Sequence, residues 1–362
     1  SAQAQGYSVY EHDACAMGRA GVGVASPCSG GSAIFFNPAG IVTGQAGKWN
    51  VSSGVTMIPP RGSFVPDAGT TTDLVNNNIP VPNIYVTRQI GSRFAVGVGM
   101  FAPYGLTTEW PTTSPGRFLS YKATIKGIYI QPTIAFRVNP RIQVGAGFDI
   151  VRSAVDLKKR VDLSSQLVPG AGGATFGSLA QTSVPAGTDF ADVRMHGTGT
   201  AYAAHFGIIF RLNDALSLGA RYMTGTTVDG TGYAGFTQVA TGLRLLGPLS
   251  ASLPTGTPID AIVACSFSQC TGQPAPTLVT QTVAATIPMP SQLVVGFNLR
   301  VRTGLHVMAD VQLTNWSAFE QLPLTLGVAG PRVLYENYVN TVGFRAALEY
   351  AARRGRELML YV

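Results

Sequence analysis

Cysteine and histidine are the side chains of this chain that could bind a metal or form covalent links. Cys15 and Cys28 lie near the N-terminus, and Cys265 and Cys270 lie together much later. A structural zinc site needs cysteines about two to four residues apart with a histidine pair nearby, and the histidines here are scattered. We therefore predict no metal and no other cofactor. Each cysteine pair could form a local disulfide, which suits an oxidising compartment, although the sequence leaves the pairing open.

Catalysis and nucleic-acid binding are both disfavoured by the sequence. The chain has no G-x-S-x-G elbow or other activated nucleophile, and His205 has no evident partner along the chain. We therefore expect no enzyme. The basic residues behind the net charge of +7 are dispersed, without the recurring aromatic and basic platform that binds nucleic acids.

The elements that must position the remaining residues are β-strands. Glycine is abundant, charged residues make up only 12%, and Val, Thr, Tyr and Phe recur in short runs, which favours strands over helices. No uninterrupted apolar stretch is long enough for a membrane-spanning helix. Apolar residues instead occupy alternate positions, which is the period of a strand. This alternation is clearest in 127–138, 142–150, 200–212, 293–301 and 305–313.

The connections separate a membrane barrel from a soluble sandwich, whose strands alternate in the same way. Short turns strictly alternate with long links along the chain, as in an outer-membrane barrel with turns on one rim and loops on the other. We therefore predict an all-β fold, a transmembrane antiparallel β-barrel. The expected strands are 47–58, 81–90, 92–102, 117–138, 140–160, 190–212, 215–229, 282–302, 304–315, 338–353 and 356–362.

Eleven strands cannot close a bacterial barrel, because strand numbers there are even and an open edge in lipid leaves unpaired backbone groups. We therefore expect the barrel domain, residues 47–362, to be C-terminally incomplete, with about three further strands in the native chain. Residues 1–4, Ser-Ala-Gln-Ala, have the small-residue character of a signal-peptidase site. This predicts export with a cleaved signal peptide.

The first 46 residues do not alternate and are rich in Ala and Gly. A segment of this size ahead of the first strand can sit inside a wide barrel, so we predict residues 1–46 to be a plug. The charge also fits a membrane location. Lys122, Lys126, Lys158, Lys159 and Arg160 fall near predicted outer strand ends, where lipopolysaccharide phosphates would pair with them.

The chain resembles the FadL family of outer-membrane transporters for long-chain fatty acids and aromatic hydrocarbons. The resemblance rests on elements in the same order, from Gly-Arg-Ala-Gly (18–21) and Asn-Pro-Ala-Gly-Ile (37–41) to Pro-Tyr-Gly-Leu-Thr-Thr-Glu-Trp (103–110). Ile-Pro-Met-Pro (287–290) and Thr-Asn-Trp-Ser-Ala-Phe-Glu-Gln-Leu (314–322) follow. It implies a fourteen-stranded barrel closed by an N-terminal hatch. It also implies passive capture of an apolar solute in the loops and sideways exit at a kinked third strand.

The resemblance implies roles for particular residues. The hatch candidates are Asn37, Pro38, Ala39 and Gly40, for which a simple turn is the alternative. The kink candidates in strand three are Gly97, Gly99 and Pro103, with Pro132 in strand four as a rival, although barrel glycines can also merely relieve crowding. The candidates for loop capture, which could equally be loop-packing residues, are Leu163, Leu167, Phe176, Phe236 and Leu245.

The resulting functional hypothesis is passive uptake of hydrophobic small molecules by a monomer. A basic lumen residue, Arg137 or Arg300, could bind a substrate carboxylate or could simply be a solvated charge. A general porin for polar solutes is the main alternative, and the plug argues against it. A structural role in the outer membrane is a further alternative.

Overall fold

The computed structural model describes residues 6–67, 69–75, 77–168, 171–272, 275–327 and 330–350. The predicted strand 356–362, the last residues of the predicted strand 338–353, and residues 1–4 with the expected processing site lie outside this part of the chain.

The described residues form one curved antiparallel sheet. In chain order its strands are β1 (Trp49–Ile58), β4 (Ile79–Ile90), β5 (Phe94–Glu109), β6 (Lys122–Arg137), β7 (Ile142–Asp162), β8 (Asp189–Arg211), β9 (Leu216–Met223), β10 (Thr226–Gln238), β11 (Gln281–Met289), β12 (Gln292–Arg302), β13 (Leu305–Thr314), β14 (Gln321–Leu326), β15 (Gly330–Tyr335) and β16 (Thr341–Tyr350). A separate short hairpin, β2 (Ser63–Phe64) with β3 (Thr72–Asp73), lies in the first long loop.

The fourteen strands of the sheet make ten passes, because the last four passes described are each interrupted. The predictions of single strands over 215–229 and 282–302 are therefore wrong. The first strand is interrupted at Gly225, between β9 and β10, and the second at Pro290, between β11 and β12. Glycine has no side chain to pack and proline has no N–H to donate, so both weaken strand pairing. The predicted loop 316–337 is also corrected, since it contains the hairpin of β14 and β15, and β14 pairs with β11.

Three further strand ends differ from the prediction by five residues or more. The first is that of β10, which ends at Gln238 rather than at 229. The third strand does not end at 102 but runs through Pro103 to Glu109, because a β-bulge there absorbs the proline. The fourth strand begins at Lys122 rather than at 117, since Pro115–Phe118 forms a 3-10 helix.

Side-chain alternation gives the sheet two different faces. On the inner face Tyr129 and Gln131 of β6 are fully buried, whereas Ile130 and Ile134 of the same strand are 38% and 56% exposed on the outer face. Short turns join β6 to β7 and β8 to β9, where Asn139 and Asn213 each accept two backbone N–H bonds. The opposite rim carries the long loops, so the two rims differ as predicted.

The two edges of the sheet are not joined within the described residues. β1 pairs with β4 alone and β16 pairs with β13 alone. Among the residues described, no helix has the length and apolar character needed to cross a membrane.

The N-terminal segment, residues 6–48, packs against the inner face of the sheet. It contains α1 (Ala14–Gly18), α2 (Ala33–Phe36) and a 3-10 helix at Pro38–Ile41. The side chain of Asp13 caps α1 by accepting the N–H groups of Cys15 and Ala16. A Cys15–Cys28 disulfide closes this segment on itself, and Cys265 and Cys270 form the second disulfide, which resolves the pairing that the sequence left open.

Candidate functional site

Asn37 fastens the N-terminal segment to the strands. Its side chain is fully buried, and its Nδ2 donates to the carbonyl oxygens of Val24 (2.7 Å), Ile208 in β8 (3.0 Å) and Ala220 in β9 (3.3 Å). Its Oδ1 accepts the N–H of Ala39 at 3.1 Å, which starts the 3-10 helix. One side chain thus holds both the local turn and the contact with two strands.

Glycines on the inner face let the segment approach the strand backbones. A Cβ at Gly145 of β7 would lie 2.4 Å from the carbonyl carbon of Pro38, and one at Gly207 of β8 would lie 2.1 Å from Oδ1 of Asn37. The kink candidates Gly97 and Gly99 lie in a regular part of β5, and a Cβ at either would come within 3.0 Å of Ile34. These glycines therefore make room for the N-terminal segment where they lie.

A buried arginine that the sequence did not single out links this segment to the sheet. Arg221 of β9 donates through Nη2 to the hydroxyl of Tyr10 (2.6 Å) and to Oε1 of Gln292 (3.0 Å), and its guanidinium lies 4.7 Å from the Phe35 ring centre. Its Nη1 lies 3.5 Å from Nε2 of His205. If Nε2 of His205 accepts this hydrogen bond, the neutral ring carries its proton on Nδ1. Nδ1 then donates to Oε1 of Gln131, 3.0 Å away.

The sequence did contain a signal for Arg221. In the alternation of β9, Arg221 falls on the inner face between Gly219 and Met223, where a charge needs a partner or solvent. The two basic candidates that the sequence did suggest lie elsewhere. Arg137 donates to the carbonyl of Val42 at 3.2 Å, at the short-turn end of β6, and Arg300 of β12 is exposed.

His12 lies in the contact between the N-terminal segment and the sheet, where it is shielded from solvent. Its ring is fully buried, its Nε2 donates to the carbonyl oxygen of Val9 (3.0 Å), and it meets Phe35 edge to face at 4.4 Å. Burial lowers the pKa of His12 to about 3. The hydrogen bond to Val9 raises this pKa, and the positive charge of Arg221 lowers it slightly further. The ring is therefore neutral at any physiological pH.

An aromatic column leads away from this contact along the inner face. Tyr129 packs on both Phe101 and Tyr104, and Tyr104 also packs on Trp316 with ring centres 5.9 Å apart. Tyr7 packs on Trp316 at 4.6 Å. The hydroxyl of Tyr104 donates to the carbonyl of Pro290 at the break between β11 and β12 (2.6 Å). The column therefore joins β5 to the interrupted strands across the interior.

The ladder between β4 and β5 stops partway, leaving a side window. It ends at Ile84 opposite Met100, and in the part of the chain described no ladder pair joins residues 79–83 to residues 101–108. At the long-loop end of the window, the N–H of Val75 donates to the carbonyl oxygen of Glu109 at 2.8 Å. The bulge of β5, between Phe101 and Tyr104, faces this window.

Residues 7–9 cover the side window by pairing with β5 themselves. The N–H of Val9 donates to the carbonyl of Pro103, and the N–H of Gly105 donates to the carbonyl of Tyr7, both at 2.9 Å. Tyr7 and Val9 are buried. Of the three kink candidates, Pro103 is the one that lies at the bulge. Its rival Pro132 pairs in register with Val98 of β5, but the ladder of β6 with β7 has a gap at Gln131 and Pro132.

The candidates for loop capture divide into buried and accessible residues. Leu163, Phe176 and Leu245 are at most 2% exposed and belong to a closed apolar core formed by the loops after β7 and β10. Leu167 is 65% exposed, and Phe236 of β10 is partly buried. The Cys265–Cys270 disulfide lies in the same loops, next to Phe267, which packs on Phe190.

A small apolar cavity lies among β7, β8, β10, β11 and β14, with a volume of about 20 Å³. Its lining includes Val155, Leu157, Met195, Val283 and Ile287. An apolar cavity that holds benzene measures about 150 Å³, so neighbouring side chains must move before an aromatic molecule could enter.

Comparison with known proteins gives a consistent picture. The family model described as outer membrane protein transport protein (OMPP1/FadL/TodX) matches residues 1–353. The long-chain fatty acid transport protein of Salmonella typhi is 22% identical over 322 residues, which are 88% of this chain and 67% of that protein.

Two solved structures share the fold. A FadL homologue from Pseudomonas aeruginosa has a TM-score of 0.70 at 18% identity and covers 96% of this chain and 78% of its own. The Pseudomonas putida toluene transporter TodX has a TM-score of 0.63 at 15% identity, with 97% and 82% covered. Because the family model spans nearly the whole sequence, this chain belongs to the OMPP1/FadL/TodX family of outer membrane transport proteins.

Proposed function

We propose that this chain is a passive outer-membrane channel for hydrophobic small molecules, either long-chain fatty acids or aromatic hydrocarbons. The family description and the names of the fatty acid and toluene transporters among its relatives support this proposal. We propose no catalytic step and no protein partner, so the chain would act as a monomer surrounded by lipopolysaccharide and other outer-membrane lipids. Its two disulfides agree with export to an oxidising compartment.

The observation that carries the proposal is the side window between β4 and β5. Pro80, Pro82 and Pro103 border it, and a proline has no N–H for ladder pairing. Residues 7–9 satisfy part of β5 there, so the backbone groups at the window need not stay unpaired while it is closed. When those residues withdraw, an apolar solute could leave sideways into lipid without crossing water.

The N-terminal segment would be the hatch that controls this window. Asn37, Pro38 and Ala39 hold it to the strand backbones, and residues 7–9 form its moving end. Gly40 instead lets Pro27 of the same segment pack closely, since a Cβ there would lie 2.6 Å from Cγ of Pro27. The Cys15–Cys28 disulfide lies between these two ends along the chain and shortens the connection from one to the other. A solute entering the aromatic column would contact Tyr7 and Tyr104 and thereby compete with the closed arrangement.

Apolar burial would drive each step. Transfer of apolar surface from water contributes about 25 cal/mol per Å², and the membrane itself is the final apolar phase, so no energy source is needed. Leu167 in the loop after β7 and Phe236 near the long-loop end of β10 are the accessible candidates for first contact. Leu163, Phe176 and Leu245 would support that surface from below, because they are enclosed in the loop core.

A reversible lock on the window tests the proposal. In the variant Val9→Cys/Gly105→Cys, a Cβ at position 105 would lie 3.6 Å from the place now taken by Cγ2 of Val9. The sulfur of the cysteine introduced at position 9 can lie at that place, so a small shift allows the disulfide to form. Both native cysteine pairs are already bridged. We expect the oxidised variant to lose most uptake of labelled oleate or toluene in proteoliposomes, and reduction to restore it.

The controls are the single variant Val9→Cys and the unmodified chain with and without reductant. Equal uptake by the oxidised and reduced double variant would contradict exit through the window. Liposome swelling in sugar solutions distinguishes the porin alternative, since a hydrophobic channel should admit no sugar in either state.

A further inference from the structure

An exposed basic patch begins directly beyond an apolar row on the outer face. The register aligns this apolar row across three strands, as Ile130, Ile150 and Tyr202. The next outward residue of β7 toward the long loops is Arg152, and Lys126 lies on the outer face of β6 at a similar level. The outer face thus changes from apolar to cationic within a few residues, at the level expected of lipid headgroups.

Lys126 and Arg152 can reach one anion together. Lys126 is directly opposite Ala154, two residues from Arg152, so the two are diagonal neighbours with Cα atoms about 7–8 Å apart. Gly105 lies opposite Lys126 on the other side, so small residues flank the lysine and leave space for a ligand. Nη1 of Arg152 donates to Oγ1 of Thr200 at 2.6 Å, and the residue is exposed.

Neither residue forms an ion pair among the residues described. Asp156, the diagonal neighbour of Lys126 on the side away from Arg152, is paired with Arg194 instead. Further toward the loops, Lys158 lies between Lys122 and Arg194 in register. Lys122 is paired with Glu109 at 2.8 Å and Arg194 with Asp156 at 2.7 Å, whereas Lys158 has no such pair in the described chain. Like charges directly opposite each other repel, so this arrangement favours an external anion.

We propose that Lys126 and Arg152 bind a phosphate group of an outer-leaflet glycolipid, and that Lys158 binds a second anionic group of the same molecule. Arginine and lysine form strong charge-assisted hydrogen bonds with phosphate oxygens. The position identifies the source of the phosphate, because acyl chains of the same lipid would lie against Ile130, Ile150 and Tyr202. This lipid site goes beyond the proposed transport and lies on the opposite face of the sheet from the aromatic column.

Native mass spectrometry of the detergent-purified protein with diphosphorylated lipid A tests the site. We expect Lys126→Gln/Arg152→Gln to weaken binding about tenfold or more, as two charge-assisted bonds are lost. The matched control, Lys48→Gln/Arg141→Gln, removes the same charge from exposed positions at the short-turn rim and should bind like the unmodified protein. Lipid A without phosphates should bind the unmodified protein and Lys126→Gln/Arg152→Gln equally weakly.

An equal loss in the control variant would overturn the site, since only overall charge would then matter. Undiminished binding of phosphate-free lipid A would overturn it as well. The shift of unboiled protein on a denaturing gel checks that each variant is folded. Uptake of labelled oleate or toluene is measured in parallel and should be unchanged in Lys126→Gln/Arg152→Gln, so a failure of transport and a failure of lipid binding are separate results.

Discussion

At the scale of single residues, glycine on the inner face sets how closely the N-terminal segment packs. A Cβ at Gly145 would lie 2.4 Å from a carbonyl carbon and 2.5 Å from the N of Ala39, both backbone atoms. We therefore expect Gly145→Ala to displace residues 37–40 at a cost of about 1–3 kcal/mol, the usual range for overpacking. Faster hydrogen exchange in the 3-10 helix Pro38–Ile41 would measure the displacement.

Gly235→Ala is the matched control for this substitution. Gly235 also lies in a strand, β10, but a Cβ there would meet no atom within 4 Å. Hydrogen exchange in Pro38–Ile41 should stay unchanged in this variant. If Gly145→Ala left it unchanged as well, close contact between the segment and the backbone of β7 would not be what holds the segment in place.

The Asn-Pro-Ala-Gly-Ile motif pointed to Asn37, but the sequence could not predict the three groups that accept its hydrogen bonds. Val24, Ile208 and Ala220 offer backbone carbonyls, and such groups carry no residue-type signal. Arg221 was overlooked for a related reason. Its partners Tyr10 and Gln292 lie 211 and 71 residues away, so their meeting depends on a sheet register that alternation alone does not determine.

At the scale of elements, the bulge in β5 begins one residue beyond Met100, where the ladder with β4 ends. Between Phe101 and Tyr104 this strand advances three residues while β6 advances two, so one residue is extra. Deleting Pro103 should let both halves keep their partners on β6 while removing the bend. We expect a straightened β5 to narrow the window, and uptake of oleate or toluene to fall at least about tenfold.

Pro103→Ala is the comparison for the deletion, because it keeps the extra residue and changes only the ring. It should retain most of the uptake. Unboiled gel mobility would show that both variants fold. Full uptake by the deletion variant would mean that the bulge has no part in the exit path, even if the window exists.

Strand existence could be predicted because alternation and short turns are local signals. The side chains of Asn139 and Asn213 each accept hydrogen bonds from the backbone N–H groups two and three residues ahead. Each turn is therefore determined by a few consecutive residues. The breaks at Gly225 and Pro290 are different. Apolar alternation continues across both, and they lie in neighbouring passes, where Tyr104 reaches the carbonyl of Pro290 from a strand far along the chain. That contact is tertiary, so no local window of sequence contains it.

At the scale of the whole molecule, the two faces of the sheet have exchanged the roles they have in a soluble sandwich. The inner face holds Arg221, His205, Gln131 and Asp149 in buried positions, while Phe206 and Ile208 are 50% and 44% exposed on the outer face. Apolar side chains in such numbers on an outer face are stable only if hydrocarbon surrounds them. The family assignment and this distribution support each other.

Replacing one outward apolar residue with lysine distinguishes hydrocarbon from water around the sheet. Ile134 lies on the outer face within the apolar part of β6, so Ile134→Lys should destabilise the protein refolded in lipid by about 2–4 kcal/mol, the range for lysine near the bilayer midplane. Leu119 is 86% exposed in the loop before β6, and Leu119→Lys should leave the stability unchanged because that side chain already meets water. Denaturant titration of both variants in lipid vesicles measures the difference. Equal stabilities would mean that the outer face is solvated, and the membrane assignment of the sheet would then fail.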